Sequence, residues 1–387
     1  MYGLCFFYGQ GVDESEERAI EWFRKSADQG NAHAQTSLGL CYKHGWGVEQ
    51  DEELALPWFQ KAAEQGHSLA AKNMGHLTKE IAEQLAADHR YGGMLLGEFK
   101  TIDDDAAEFL GTYKFRSRCD LCFNGLTELS ANAAKGLAAF GGAIRFNRDL
   151  TSLSDAAAEN LSQHRGGELK LGGLTELSAA AAESFGKYEG TLDFTCCNLV
   201  DGELRQFGLA TLSDAAAEGL SKHQGPLKLP GLTELSDAVA QSLGRHTGTL
   251  ELDGLTSLSN AAAQSLSKHS GPLKLGGLTE LSDQLLESLS GNPEVQLELG
   301  NLKSLSDTSA ERLSREQSSR LNLKGLTSLS DAAAESLSKH EGEELILDGL
   351  SILSDQAAES LSQYQGRVSL AGLTNLSDAA AESLSKC

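Results

Sequence analysis

Cys119 and Cys122 stand at the spacing of a CxxC pair. Two thiols so placed can close a redox disulfide or supply half of a tetrahedral zinc site. No second CxxC or CxxH follows to complete four ligands. With Cys5, Cys41, Cys196, Cys197 and Cys387 they make an odd total of 7 cysteines without framework spacing, a usage that fits reduced thiols in a cytosol. Ile102-Asp103-Asp104-Asp105 opens like a calcium loop but lacks the glycine turn and terminal glutamate, so it reads as an acidic helix start. His164, His223, His246, His269 and His340 recur at one register, where stacked imidazoles could hold a metal. Tyr188 and Tyr364 fill the same register, however, and tyrosine does not replace an imidazole ligand. The expectation is a side chain that complements a helix C-terminus. A P-loop, HExxH, GxSxG and a dinucleotide fingerprint are all missing, and the scattered Ser, His and Asp follow from repetition. No catalytic residue, metal or cofactor is expected.

Two internal periods define the elements that carry these residues. Gly11-Val12 returns as Gly47-Val48, and Ala19-Ile20-Glu21-Trp22-Phe23 returns as Ala55-Leu56-Pro57-Trp58-Phe59, a period of 36 residues. Within Asn31 to Gly66, Ala34, Leu38 and Cys41 share one helical face, Gly45-Trp46-Gly47 interrupts it, and Leu54, Trp58 and Ala62 share a second. Each unit is therefore expected to be two antiparallel helices. Pro57 falls inside the second, where it removes a hydrogen bond at a cost of about 3 kcal/mol. Trp22, Phe23, Trp58 and Phe59 sit at helical spacing and are expected in the core. Tyr42 and Trp46 are candidates for partner contact.

This stretch resembles the Sel-one-like branch of the tetratricopeptide superfamily. Its LG, CY, G-x-G-V, AxxWFxKAA and QG elements are met at Leu38-Gly39, Cys41-Tyr42, Gly45 to Val48, Ala55 to Ala63 and Gln65-Gly66. Residues 1 to 11 match only the second half of a first helix, so the chain is expected to start within a repeat.

From residue 77 onward the leucine of an LSD motif recurs at Leu129, Leu153, Leu177, Leu212, Leu235, Leu258, Leu281, Leu305, Leu329, Leu353 and Leu376, mostly 23 or 24 residues apart. Each unit joins a strand-like piece such as Glu168 to Leu171 to a helix-like piece such as Leu153 to Leu161, with Ser154 or Asp155 available as the cap. One such coil buries too little apolar surface to stand alone, so neighbours must stack. The spacing Leu169-x-Leu171-x-x-Leu174-x-x-Leu177 resembles the leucine-rich repeat, with leucine at the usual asparagine or cysteine site. Loss of that asparagine removes its side-chain ladder. The expected architecture is thus α-helical hairpin repeats over residues 1–77, followed over 78–387 by an α/β solenoid with parallel strands on the concave face and short helices on the convex face. The interval from Leu177 to Leu212 is 35 residues, which predicts an insertion near 196–207.

In such a solenoid the residue between the two strand leucines faces outward. Taken rung by rung these are Lys170, Asp193, Lys228, Glu251, Lys274, Glu298, Asn322, Ile346 and Ser369, alternating in sign over the first six. They form either a self-neutralising ladder or a partner surface. The first reading is favoured, because charges satisfied among themselves offer little field to a partner.

Hydrophobic content of 40% argues against wholesale disorder, and no run approaches the ~18 apolar residues of a membrane span. A formal charge of -23 repels phosphate backbones, so nucleic acid is not an expected partner. The opening MYGLCFFYGQG has no Lys or Arg and no export signal, which points to the cytoplasm. The expected function is a non-catalytic protein-protein interaction scaffold binding proteins or peptides. The alternatives are a structural or cell-surface adhesion array and the regulatory arm of a larger protein. The last copy ends at Cys387 without a following strand, which suggests self-association through that end.

Overall fold

The computed structural model describes residues 2–88, 93–115, 119–200, 203–290, 295–296, 299–315 and 318–385. Its contacts divide into two compact units, Met1–Leu150 with Gln163–Gly166, and Thr151–Ser162 with Gly167–Cys387.

The first unit begins with helices α1 (Tyr2–Phe7), α2 (Glu16–Asp28), α3 (Ala32–His44), α4 (Glu52–Ala63) and α5 (Ser68–Asn73). Their ends are chemically specified. Ser15, Asn31 and Asp51 cap α2, α3 and α4 by accepting from the backbone N–H three residues on, and Gly45 ends α3 in the left-handed region at φ 75°. Ala19, Ile20, Phe23 and Ala27 of α2 pack with Ala34, Leu38 and Cys41 of α3; Ala55, Phe59 and Ala62 of α4 pack with Ala70 of α5. The LG motif has a steric cause: a Cβ at Gly39 would lie 2.7 Å from the Phe59 ring, and one at Gly3 would meet Phe23 at the same distance.

The sequence-based faces are off by one residue in α4. Ala55, Phe59 and Ala62 are buried, whereas Leu54 is 51% exposed and Trp58 is half-buried with the Lys61 ammonium 4.7 Å above its ring. Trp22 is likewise 41% exposed, with Lys25 5.1 Å from its ring centroid. Of each Trp-Phe pair the phenylalanine is the fully buried member, because adjacent helical residues diverge by about 100°, and Trp58 packs partly buried against the α2–α3 core. Pro57 sits on the exposed side of α4, and the helix continues through it.

The helical part passes within this unit into parallel strands. His76–Leu77 pairs with Thr101–Ile102, and Met94–Leu95, Leu121–Phe123 and Ile144–Phe146 pair in sequence order. Short helices, Asp104–Thr112 and Ala131–Ala138 among them, alternate with these strands.

The second unit repeats one plan. Strands Glu168–Leu171, Thr191–Asp193, Leu227–Lys228, Leu250–Glu251, Leu273–Lys274 and Val295–Gln296 are parallel neighbours in that order, with strand leucines Leu169, Leu192, Leu227, Leu250 and Leu273 aligned in register. Arg320–Asn322, Glu344–Ile346 and Arg367–Ser369 form a three-stranded parallel sheet. Most strands are followed by a Gly-Leu-Thr turn, with Gly208-Leu209-Ala210, Gly300-Asn301-Leu302 and Gly349-Leu350-Ser351 as variants, and then by a helix such as Asp331–Leu337, a parallel-strand and helix solenoid plan. The 11-residue excess is a hairpin: Cys196–Val200 pairs antiparallel with Glu203–Phe207, and the parallel ladder passes directly from Leu192 to Leu227.

The core of a rung is narrow. Leu169, Leu171, Leu174, Ala181, Ala182 and Phe185 are all at most 1% exposed. The second and third alanines of the triplet supply the thin helix face, while the LSD leucine is half-buried at Leu177, Leu235 and Leu329. Stacking at this distance requires glycine in the turn. A Cβ on Gly372 would lie 1.9 Å from the Asp348 carbonyl oxygen, and one on Gly277 would lie 2.2 Å from that of Asp253.

Candidate functional site

The strand-face column is engaged with itself. Glu251 lies between Lys228 at 3.8 Å and Lys274 at 2.7 Å, and Lys170 reaches Asp193 at 3.5 Å. Parallel strands about 4.8 Å apart in common register bring these long side chains into range. Two expectations of outward projection fail. Asp193 is only 4% exposed, because its carboxylate turns back to accept from the Thr195 N–H at 2.7 Å. Ile346 is 6% exposed: its short branched side chain lies between the rungs of Asn322 and Ser369. Half-buried Asn322 accepts from the Lys324 N–H at 3.2 Å, and Ser369 donates to Asp348 at 2.6 Å. Glu298 lies outside the described residues.

The helical repeats present a different surface. Trp46 is 36% exposed, with Phe7 at 5.4 Å in an edge-on contact and His44 at 4.6 Å. Tyr42 is half-buried, and its hydroxyl accepts from the Arg24 guanidinium at 2.6 Å. Tyr8 is exposed beside Phe7, and Tyr2 is exposed against Trp22 at 5.3 Å. Tyr2, Trp22 and Tyr42 lie within α1, α2 and α3, whereas Tyr8 and Trp46 stand at the turns that Gly9, Gly11, Gly45 and Gly47 make with positive φ.

The recurring histidines are not surface cations at helix ends. His223 and His246 are fully buried, and His269 is 3% exposed. The rings of Tyr188, His223, His246 and His269 follow one another at centroid distances of 6.0, 5.8 and 5.5 Å. His223 Nδ1 lies 2.7 Å from the Tyr188 carbonyl oxygen and His246 Nε2 lies 3.1 Å from that of Gly225, so each neutral ring can donate one N–H to the preceding rung. Burial lowers the pKa of all three. That of His246 falls to about 4, through burial first and then its neighbours His223 and His269. A neutral stacked ring explains why tyrosine can share the register.

Sequence reasoning missed a second column. Ser154, Ser178, Ser236 and the equivalent serines are the N-caps, and where an aspartate follows the cap it has another role: it accepts from the serine of the next rung. Ser178 donates to Asp155, Ser259 to Asp237, Ser306 to Asp283, Ser330 to Asp307, Ser354 to Asp331 and Ser377 to Asp355. In the first unit Ser130 donates to Asp104 at 2.6 Å. Hydrogen bonds from Ser306 and Ser309 hold the Asp283 carboxyl below its ordinary pKa. Where the aspartate is Asn260, Ser282 still donates to its side-chain oxygen at 3.2 Å. Threonines of the turns add a parallel set, Thr279 Oγ1 donating to the Thr256 carbonyl at 3.1 Å and Thr374 to Ser351 at 3.2 Å. These ladders stand where an asparagine ladder is absent. The co-occurrence of Ser and Asp at the rung spacing was the available signal.

Cys119 and Cys122 are buried, and burial pushes the Cys119 thiol up, which makes it a poor nucleophile. Asp103 caps the helix Asp104–Thr112 through the Ala106 N–H at 2.6 Å, an acidic helix start. Among the described residues no group of three or more His, Cys, Asp or Glu could hold a metal, and no helix is long and apolar enough to cross a membrane.

The Sel1 repeat family matches residues 1–31 and 32–67. No curated protein matches the chain. Among solved structures it is similar to a Sel1 repeat protein from Oxalobacter formigenes, 48% identical over 16% of this chain and 49% of that one, with a TM-score of 0.16. The match thus spans about half of that protein's length. It is similar to an internalin, inlF, from Listeria monocytogenes, 16% identical over 80% of this chain and 87% of that one, with a TM-score of 0.45. It is also similar to c5321, a protective antigen present in uropathogenic Escherichia coli strains displaying an SLR fold, 15% identical over 93% of this chain and 55% of that one, with a TM-score of 0.20. The N-terminal region therefore carries Sel1 repeats, in a repeat protein whose later rungs alternate parallel strands with short helices.

Proposed function

We propose that this chain is a non-catalytic scaffold that binds other proteins, with a leucine-rich-repeat-like solenoid carrying Sel1 repeats that make the specific contact. The observation that carries the reading is the contrast between two surfaces. The alternating charges of the strand face neutralise one another at Glu251, whereas Trp46, Tyr2 and Tyr8 stand exposed on the helical repeats. Exposed aromatic rings backed by packed neighbours are the side chains that most often anchor protein interfaces. Exposed ion pairs contribute about 0–1 kcal/mol each and gain little when a partner arrives.

The test is affinity capture with the full chain, comparing wild type, W46A/Y42F, and the triple reversal of Lys228, Glu251 and Lys274. Loss of a defined partner on W46A/Y42F with retention on the triple reversal supports the assignment. Loss only on the triple reversal moves the site to the strand face, to Lys170, Lys228, Glu251 and Lys274. Recovery of no defined partner by any form sinks the scaffold reading. It leaves the second one, a structural array, which the near-identity of successive rungs and their rung-to-rung ladders favour.

A further inference from the structure

We propose that His33 and His67 form a two-imidazole chelate for a divalent transition metal of square or octahedral preference, nickel(II) or copper(II), which ties the start of α3 to the start of α5. His33 lies in the first turn of α3, and His67 immediately precedes α5. His33 Nδ1 and His67 Nε2 are 2.9 Å apart, with the rings edge to face at 89° and centroids 4.5 Å apart.

The hydrogen bonding fixes which nitrogen is free. The Thr36 hydroxyl donates to the Ala32 carbonyl at 2.9 Å, so its oxygen can only accept from His67 Nδ1, also at 2.9 Å. His67 Nδ1 therefore carries the ring proton, and Nε2 presents a lone pair toward His33. An imidazole whose other nitrogen is held by an oxygen acceptor is oriented as metal-bound histidines require.

Geometry selects the ion. With metal–nitrogen bonds of about 2.0 Å, nitrogens 2.9 Å apart subtend about 93° at the metal, close to the cis angle of a square or octahedral site. A tetrahedral zinc site needs nitrogens about 3.3 Å apart at the same bond length. His33 is exposed, so water can fill the remaining positions. The metal takes the place of the proton between the rings: that proton leaves His33 Nδ1 and His33 Nε2 takes one from solvent, leaving the pair neutral. The chain's charge of -23 favours the cation.

The inference is independent of which proteins the scaffold binds. Its test is calorimetric titration of the full chain with nickel(II), alongside H33Q, H67Q and T36V. We expect one nickel(II) site that weakens at least about tenfold in H33Q and H67Q and less in T36V, weaker zinc(II) binding, and a nickel-dependent rise in melting temperature lost in H33Q. Unchanged affinity in H33Q and H67Q, or no heat of binding in wild type, overturns the site; tighter zinc than nickel at the same residues overturns the choice of ion. Because His33 is exposed, H33Q decides the question even if H67Q fails to fold.

Discussion

The hydroxyl of Ser330 serves two rungs at once: it accepts from the Ala333 N–H of its own helix at 3.0 Å and donates to the carboxylate of Asp307 in the rung before. Removing it loses a helix cap worth about 1 kcal/mol and a hydrogen bond to a charged acceptor worth about 1.5–3 kcal/mol. S330A should therefore lower stability by roughly 2.5–4 kcal/mol, read from the urea midpoint. D307N, which keeps an acceptor, should lose less. The double variant should fall short of the sum, since both changes act on the same bond.

Acid should loosen the histidine column. His246 has a folded pKa of about 4 against an ordinary 6.5, so the unfolded chain takes up the proton first as pH falls. Stability is complete above pH 6.5 and declines toward pH 4, by on the order of 3 kcal/mol from this residue. His223 and His269 shift in the same direction. H246F should flatten the dependence of the unfolding midpoint on pH over that interval; an unchanged slope would mean the ring is not the proton acceptor.

The turn glycines should not tolerate a methyl group. G277A places Cβ 2.2 Å from the Asp253 carbonyl oxygen and 2.7 Å from that of Leu255, both backbone atoms of the preceding rung. A loss above about 2 kcal/mol is expected, against within about 0.5 kcal/mol for G141A, where a Cβ meets nothing within 4 Å. Thermal melts of the two variants make the comparison.

Within a Trp-Phe pair the smaller ring should matter more for stability. Phe23 is 6% exposed and Trp22 is 41% exposed, so F23A should cost about 3–5 kcal/mol and W22A about 1 kcal/mol or less. Equal losses would place the tryptophan in the core after all.

Periodicity made the two repeat types legible, because buried alanines and leucines must recur at the spacing of the elements they pack. Residue-level direction was harder to read. Trp22 and Phe23 are adjacent and both apolar, and only the close approach at Gly3 tells which ring faces inward. Asp193 was read as outward from the two-residue alternation of a strand, but a short carboxylate can satisfy itself on the Thr195 N–H. His246 looked like a helix-end cation because its depth depends on rings contributed 23 residues to either side. The Ser-Asp bonds likewise join rungs and never close within one repeat.

A rung with both the serine and the aspartate has a donor on one side and an acceptor on the other, so the stack has a direction, like tongue-and-groove boards laid end to end. Most neighbouring rungs fit together in the order the chain supplies them, because the serine of one meets the aspartate or asparagine of the rung before; Ala131 and Ala179 are the places where that acceptor is missing. The near-identical stretches beginning at Gly225 and Gly271, 46 residues apart, are what copying two complete boards leaves behind. The joint also sets the unit of change: a gain or loss of one full rung rejoins tongue to groove, while a cut of half a rung leaves two tongues facing each other.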